Sequence, residues 1–187
     1  MYFMLECYGP EEEDMAAIGS WPHFEGVNWN LGRYVDKKIP TPIVVELDHQ
    51  FPGLMMPMFD SGVLLFSDEM ISALHKAGVD NFQCFDALVR DTVNNLVYDN
   101  YKVINILGVV AVANLGKSVY ESHGNNEVLI DADFDSLVID EKKARGLLMF
   151  RLAESVNGIV IHEDVKKVLE QNGIKHLDFV LPEEWIG

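Results

Sequence analysis

The stretch Val63-Leu64-Leu65-Phe66-Ser67-Asp68-Glu69-Met70-Ile71-Ser72-Ala73-Leu74-His75-Lys76-Ala77-Gly78-Val79 decides the fold. Val63 to Phe66 is a short apolar run, as a buried strand requires. Ser67 follows as a helix N-cap, and Asp68 and Glu69 sit at the positive end of the helix dipole. Met70, Ile71, Leu74 and Ala77 form an apolar stripe, and Gly78 stands where a C′ glycine ends a helix. Val79 to Phe85 leads back into a strand.

The same unit returns near the other end of the chain. Ile159 to Ile161 reads as a strand, His162, Glu163 and Asp164 open a helix, and Val165, Val168 and Leu169 give its stripe. Gly173 ends it, and Ile174 to Val180 is strand-like. A constant offset of 95 residues relates Ser67 to His162, Leu74 to Leu169 and Gly78 to Gly173. This spacing reads as an internal strand–helix–strand duplication; chance recurrence of a common unit is the alternative.

Between the two units the chain is mostly β. Ala87 to Asp91 and Tyr98 to Leu107 flank a turn containing Asn94 and Asn95, which suits a hairpin. Val128 to Asp135 alternates, with Val128, Ile130, Ala132 and Phe134 on one face and Asp131, Asp133 and Asp135 on the other. Those carboxylates would stand about 6.6 Å apart along the strand. Leu147 to Leu152 is a further strand. Residues 1–60 are irregular: Tyr2 to Tyr8 and Ile43 to Leu47 read as strands, Gly9 to Gly32 as loop, and Phe51 to Pro57 as extended chain. The expected fold is therefore α+β. It has a mixed or mostly antiparallel sheet, two similar strand–helix–strand units in residues 61–187, and an irregular β-rich segment over residues 1–60.

The 187 residues suffice for one domain that buries roughly 70% of its unfolded surface without disulfide or metal staples. Thirty acids against 14 bases give a formal net charge of −16. That argues against nucleic acid or an anionic membrane as partner, since both require a basic surface. Residues 1–14 and 127–141 carry eleven of the sixteen excess negative charges. The N-terminal residues lack a signal-peptide pattern, and no apolar run reaches a membrane-spanning length. Cys7 and Cys84 form no metal or redox spacing and read as reduced core thiols of a cytoplasmic protein, with a single disulfide between them as the alternative.

Several motifs invite chemistry. Ala111-Val112-Ala113-Asn114-Leu115-Gly116-Lys117-Ser118 fits a loose phosphate-loop pattern, with Lys117 on phosphate and Ser118 on magnesium. It has a single glycine, and only Val119 to Ser122 follow before His123, Gly124, Asn125 and Asn126, too few for a helix that could hold phosphate. Asp131, Asp133 and Asp135 match the start of a calcium loop, but Ser136 replaces its glycine and Lys142 its final glutamate. His162 has no second histidine four residues on, and by the internal repeat it takes the cap position of Ser67. Trp21, Trp29 and Tyr34 suit either a contact surface or the cover of a core, and Met55, Met56 and Met58 suit edge packing. No cofactor, metal site or catalytic constellation is expected.

The ordered segments Leu65-Phe66-Ser67-Asp68, Gly78-Val79-Asp80-Asn81, Tyr101-Lys102-Val103-Ile104-Asn105-Ile106-Leu107-Gly108, Lys117-Ser118-Val119-Tyr120, Phe150-Arg151-Leu152 and Ile159 to Ile174 resemble a bacterial family. It is the polymorphic-toxin immunity family numbered eleventh, whose first-named member is myxobacterial. The resemblance spans about residues 55–182. It implies a non-enzymatic cytoplasmic protein that binds and neutralises a cognate toxin domain with a basic surface. The residues expected to meet that partner are the acidic clusters Glu11, Glu12, Glu13 and Asp14, and Asp131, Asp133 and Asp135; solvated faces serving solubility are the alternative. Two other functions stay open: a regulatory or scaffold module without a toxin partner, and a nucleotide-binding protein using Gly116-Lys117-Ser118.

Overall fold

The structure, a computed structural model, describes residues 1–8, 15–123 and 132–187. It is a mixed α/β fold dominated by strands. The first half of the chain supplies β1 (Tyr2–Cys7), β2 (Ala16–Ser20), β3 (Ile43–Pro52), β4 (Met58–Asp60), β5 (Leu64–Ser67), helix α1 (Asp68–Lys76) and β6 (Phe82–Asp91). There follow β7 (Leu96–Ile106), β8 (Val109–Val110), β9 (Val119–Ser122), β10 (Ala132–Ser136), a single helical turn α2 (Glu141–Ala144) and β11 (Met149–Leu152). The chain closes with β12 (Ile159–His162), α3 (Glu163–Gln171), β13 (Leu177–Val180) and a short 3-10 turn at Pro182–Glu184.

Two mixed sheets and a ribbon result. One sheet has the order β2-β3-β6-β7-β5-β4, the other β13-β1-β12-β11-β8, and β9 pairs with β10. Among the described strands, β3 pairs parallel with β6 and β8 parallel with β11. Helix α1 links β5 to β6, which flank β7 and are both antiparallel to it. Helix α3 links β12 to β13, which flank β1 in the same way. Each helix thus joins two strands of like direction separated by one antiparallel strand. The boundary at residue 60 does not coincide with a boundary between sheets: β1 lies inside the five-stranded sheet, and β2, β3 and β4 belong to the six-stranded one.

Local chemistry sets the helix ends. Ser67 Oγ accepts from Met70 N (3.2 Å), and His162 Nδ1 accepts from Asp164 N (3.3 Å). Gly78 and Gly173 follow the helices with φ of +85° and +70°, a region only glycine enters at no steric cost. The β6–β7 hairpin forms as expected. Asp91 Oδ1 accepts from Val93 N and Asn94 N at 3.0 and 2.9 Å, and Asn95 takes a φ of 55°.

The central strands bury both faces, so their sequences are continuous apolar runs. Leu64 and Phe66 join Met70 and Leu74 of α1, Ile104 and Ile106 of β7, Ile159 and Ile161 of β12, and Val165 and Leu169 of α3 in a core shared by both sheets and both helices. Complete burial of one such leucine contributes about 1.5–3 kcal/mol. Leu65 and Val103 face the opposite way, into a second core covered by the N-terminal segment through Trp29 and Ile39. Phe150 and Val160 face a third core with Phe134, Leu137 and Trp185.

Several expectations are corrected. The loop expected over Gly9 to Gly32 contains β2, which bends through register shifts against β3. Strand β3 continues past Asp48 to Pro52. Met56 and Met58 are core residues, 2% and 5% exposed, and not edge packing. Trp29 is buried and Tyr34 is 70% exposed, so the three aromatics form no single surface. Cys84 is exposed on β6 and Cys7 half-buried; both are free, but Cys84 is not a core thiol. Among the described residues, no helix is long and apolar enough to cross a membrane.

Candidate functional site

The acidic residues singled out by sequence are only partly described. Glu11, Glu12, Glu13, Asp14 and Asp131 lie outside the described residues. Asp133 and Asp135 lie on β10 and are exposed, while Ala132 and Phe134 are 1% exposed and face the core. Asp133 stands directly opposite Glu121 of β9, and Asp135 falls in a β-bulge between Phe134 and Ser136. Two carboxylates opposite each other repel, and such a pair is unfavourable unless a cation approaches it. His123 supplies one partner: its Nε2 lies 2.8 Å from Asp133 Oδ2, an ion pair when the ring is protonated.

The phosphate-loop pattern does not fold as one. Asn114 to Lys117 make a tight turn in which Lys117 N and Ser118 N both donate to Asn114 O, each at 2.9 Å. Ser118 Oγ donates to Asn114 O (3.0 Å) and accepts from Val138 N (2.9 Å). The chain then enters β9, a strand and not a helix. The amides that would cradle phosphate are therefore turned inward. His162 is a helix cap, within 3.2 Å of Asp164 Oδ2 as well. Among the described residues, no group of three or more His, Cys, Asp or Glu side chains is placed to hold a metal ion.

One sizeable concavity was not foreseen. A cleft of about 700 Å³ opens between the two sheets, walled by the ends of β1 and β2, the segment 56–62, the turn before β12, and residues 185–187. Its apolar walls include Leu5, Met56, Phe59 and Ile159; its side-chain carboxylates are Glu6 and Asp60. Glu6 is held in place on both oxygens: Trp185 Nε1 donates to Oε1 at 2.6 Å, and Tyr8 Oη donates to Oε2. That hydrogen bond pushes the Tyr8 phenol up to about 12. Asp60 can be reached by solvent, yet enough protein crowds its carboxyl that burial raises its pKa, with the Arg151 charge acting in the opposite direction.

Arg151 is the unusual group behind this wall. It is fully buried on β11 and donates Nη1–H to Val156 O at 2.7 Å, while Nε and Nη2 have no partner among the described residues. Burial lowers its pKa, and Asp60 opposes that shift without closing to ion-pair distance. Glu154, 5% exposed, accepts from Ala113 N through Oε1 (3.1 Å) and leaves Oε2 unpartnered. A charged residue on a fully buried strand is readable in Phe150-Arg151-Leu152, but the cleft is not, because its walls come from five separate segments.

No family model matches the chain, and a search of curated proteins finds no relative.

Proposed function

We propose that this chain is a non-enzymatic, cytoplasmic immunity protein that binds a cognate bacterial toxin domain and covers its working surface. The observation that carries the reading is the outward acidic face of the β9–β10 ribbon, where Glu121 and Asp133 oppose each other beside Asp135. Like charges held together are unfavourable in the free protein and become favourable beneath a basic partner, which also steers the encounter. The net charge of −16 extends that steering over the whole surface. The ordered segments that resemble the immunity family add the toxin as the specific partner. The proposal includes an internal repeat: the 95-residue offset, the side-chain caps at Ser67 and His162, and the like strand pairing around β7 and β1 support two copies of one strand–helix–strand unit.

The test begins with capture by the tagged protein from its host lysate at low salt. The captured domain is then expressed alone and together with this chain. Growth arrest by the domain, relieved by co-expression, is the expected result. The double variant Asp133→Lys, Asp135→Lys should slow association by about tenfold and flatten its salt dependence. Capture of a housekeeping assembly whose components do not arrest growth refutes the toxin reading; an unchanged association rate refutes the β10 face.

A further inference from the structure

The cleft combines features that an acidic surface lacks. Its volume of about 700 Å³ lies within the range of sites that bind small molecules and single side chains with their neighbours. It carries two side-chain carboxylates, and no Lys, Arg or His is among its described lining residues. Neither Glu6 nor Asp60 makes an ion pair with any described residue; the nearest charge that acts on Asp60, Arg151, is sealed in the protein. Glu6 is aimed by Trp185 and Tyr8, and Tyr8 stands at the rim, 55% exposed. Ser61 and Asn157 add polar lining, and the apolar side chains open to a ligand are Met15, Ile18 and Ile186, above a buried floor that includes Met56 and Phe59.

A group complementary to this cleft has an apolar stem and a cationic head with several donors. An arginine side chain meets both requirements. Its guanidinium can bind a carboxylate with two parallel hydrogen bonds and can stack on an aromatic ring. One arginine side chain occupies only part of the space, so its apolar neighbours have room to lie against Met15, Ile18 and Ile186. We infer that this cleft docks an arginine flanked by apolar residues, presented on a segment of a protein partner, with Asp60 as its principal counter-charge. The inference goes beyond the toxin reading and does not depend on it, because any partner bearing such a segment would dock in the same way.

The test titrates the full chain with the peptide acetyl-Leu-Arg-Leu-amide and follows tryptophan fluorescence and binding heat. Saturable binding below about 1 mM is expected, weakening with added salt. The peptide acetyl-Leu-Gln-Leu-amide should bind at least about tenfold more weakly, since a charged hydrogen bond is lost. Asp60→Asn should lose a similar factor. Should Asp60→Asn unfold, Ser61→Lys, at an exposed position of the lining, places a cation in the cleft and should abolish binding. No saturation by about 10 mM, equal affinity for the glutamine peptide, or unchanged affinity in a folded Asp60→Asn or Ser61→Lys overturns the inference. Agmatine binding as tightly as the arginine peptide also overturns it, by showing a small-molecule site. None of these readouts uses a toxin, so failure here is distinct from failure of the immunity reading.

Discussion

Gly158 offers a test of the packing around the cleft. Its amide donates to Ser155 O and its carbonyl accepts from Leu152 N, both at 2.9 Å, so it closes the turn between β11 and β12. Its φ lies outside the left-handed region, so conformational freedom is not why glycine is needed. Space is the reason. A Cβ there would lie 2.9 Å from Met4 Cε, 3.0 Å from Trp185 Cη2 and 3.2 Å from Ser155 O. Met4 can yield, but Trp185 is 5% exposed and tied to Glu6, and Ser155 O is backbone. Overpacking of this kind costs about 1–3 kcal/mol, while Gly→Ala returns about 0.4–1 kcal/mol by restricting the unfolded chain. Gly158→Ala should therefore lose about 1–2 kcal/mol, which lowers Tm by about 2–8 °C for a chain this long. Urea and thermal unfolding followed by tryptophan fluorescence measure it. The contrast is Gly116→Ala in the phosphate-loop-like turn, where a Cβ meets only Asn114 Oδ1 at 3.6 Å and a gain of about 0.4–1 kcal/mol is expected. A Gly158→Ala protein as stable as its parent would refute the packing of Trp185 described here.

Two further outcomes concern titrating groups. Burial raises the Glu154 pKa, so the folded state favours the protonated acid; that contribution is complete below the ordinary value of 4.5 and is lost as pH rises. Glu154→Gln keeps the acceptor for Ala113 N and should gain up to about 1–2 kcal/mol at pH 7, a gain that shrinks towards pH 4 in urea titrations. A loss at pH 7 would show that the charge itself is needed. Burial also pushes the Cys7 thiol from 9.0 up to about 11, so the fold favours the neutral thiol and stability should fall between about pH 9 and pH 11. Cys7→Ala should lessen that fall in denaturation curves from pH 8 to 11; identical slopes would place Cys7 in water.

Legibility followed the range of the forces. Ser67, His162, Gly78, Gly173 and Asn95 act within a few residues of themselves, through caps, left-handed backbone and turn hydrogen bonds, and their roles could be read directly. The alternation of Ala132, Asp133, Phe134 and Asp135 likewise placed the two aspartates on an open face. Strand β2 was missed because Ile18 is its one strand-favouring residue among Ala, Gly and Ser, and it is held by pairing against β3. The phosphate-loop pattern, discounted for its single glycine and short following segment, is a turn whose Lys117 and Ser118 amides donate to Asn114 O.

What the chain's sequence determined by itself is the strand-rich α+β composition, both capped helices, the hairpin and the excess of negative charge. All depend on side-chain type and near-neighbour spacing. The tertiary structure alone decided that β1 lies between β12 and β13, that Arg151 and Glu154 are enclosed, and that Glu6 and Asp60 face one cleft. These depend on which apolar faces bury one another. That choice is made by the total surface removed from water across distant segments, and no local pattern encodes it.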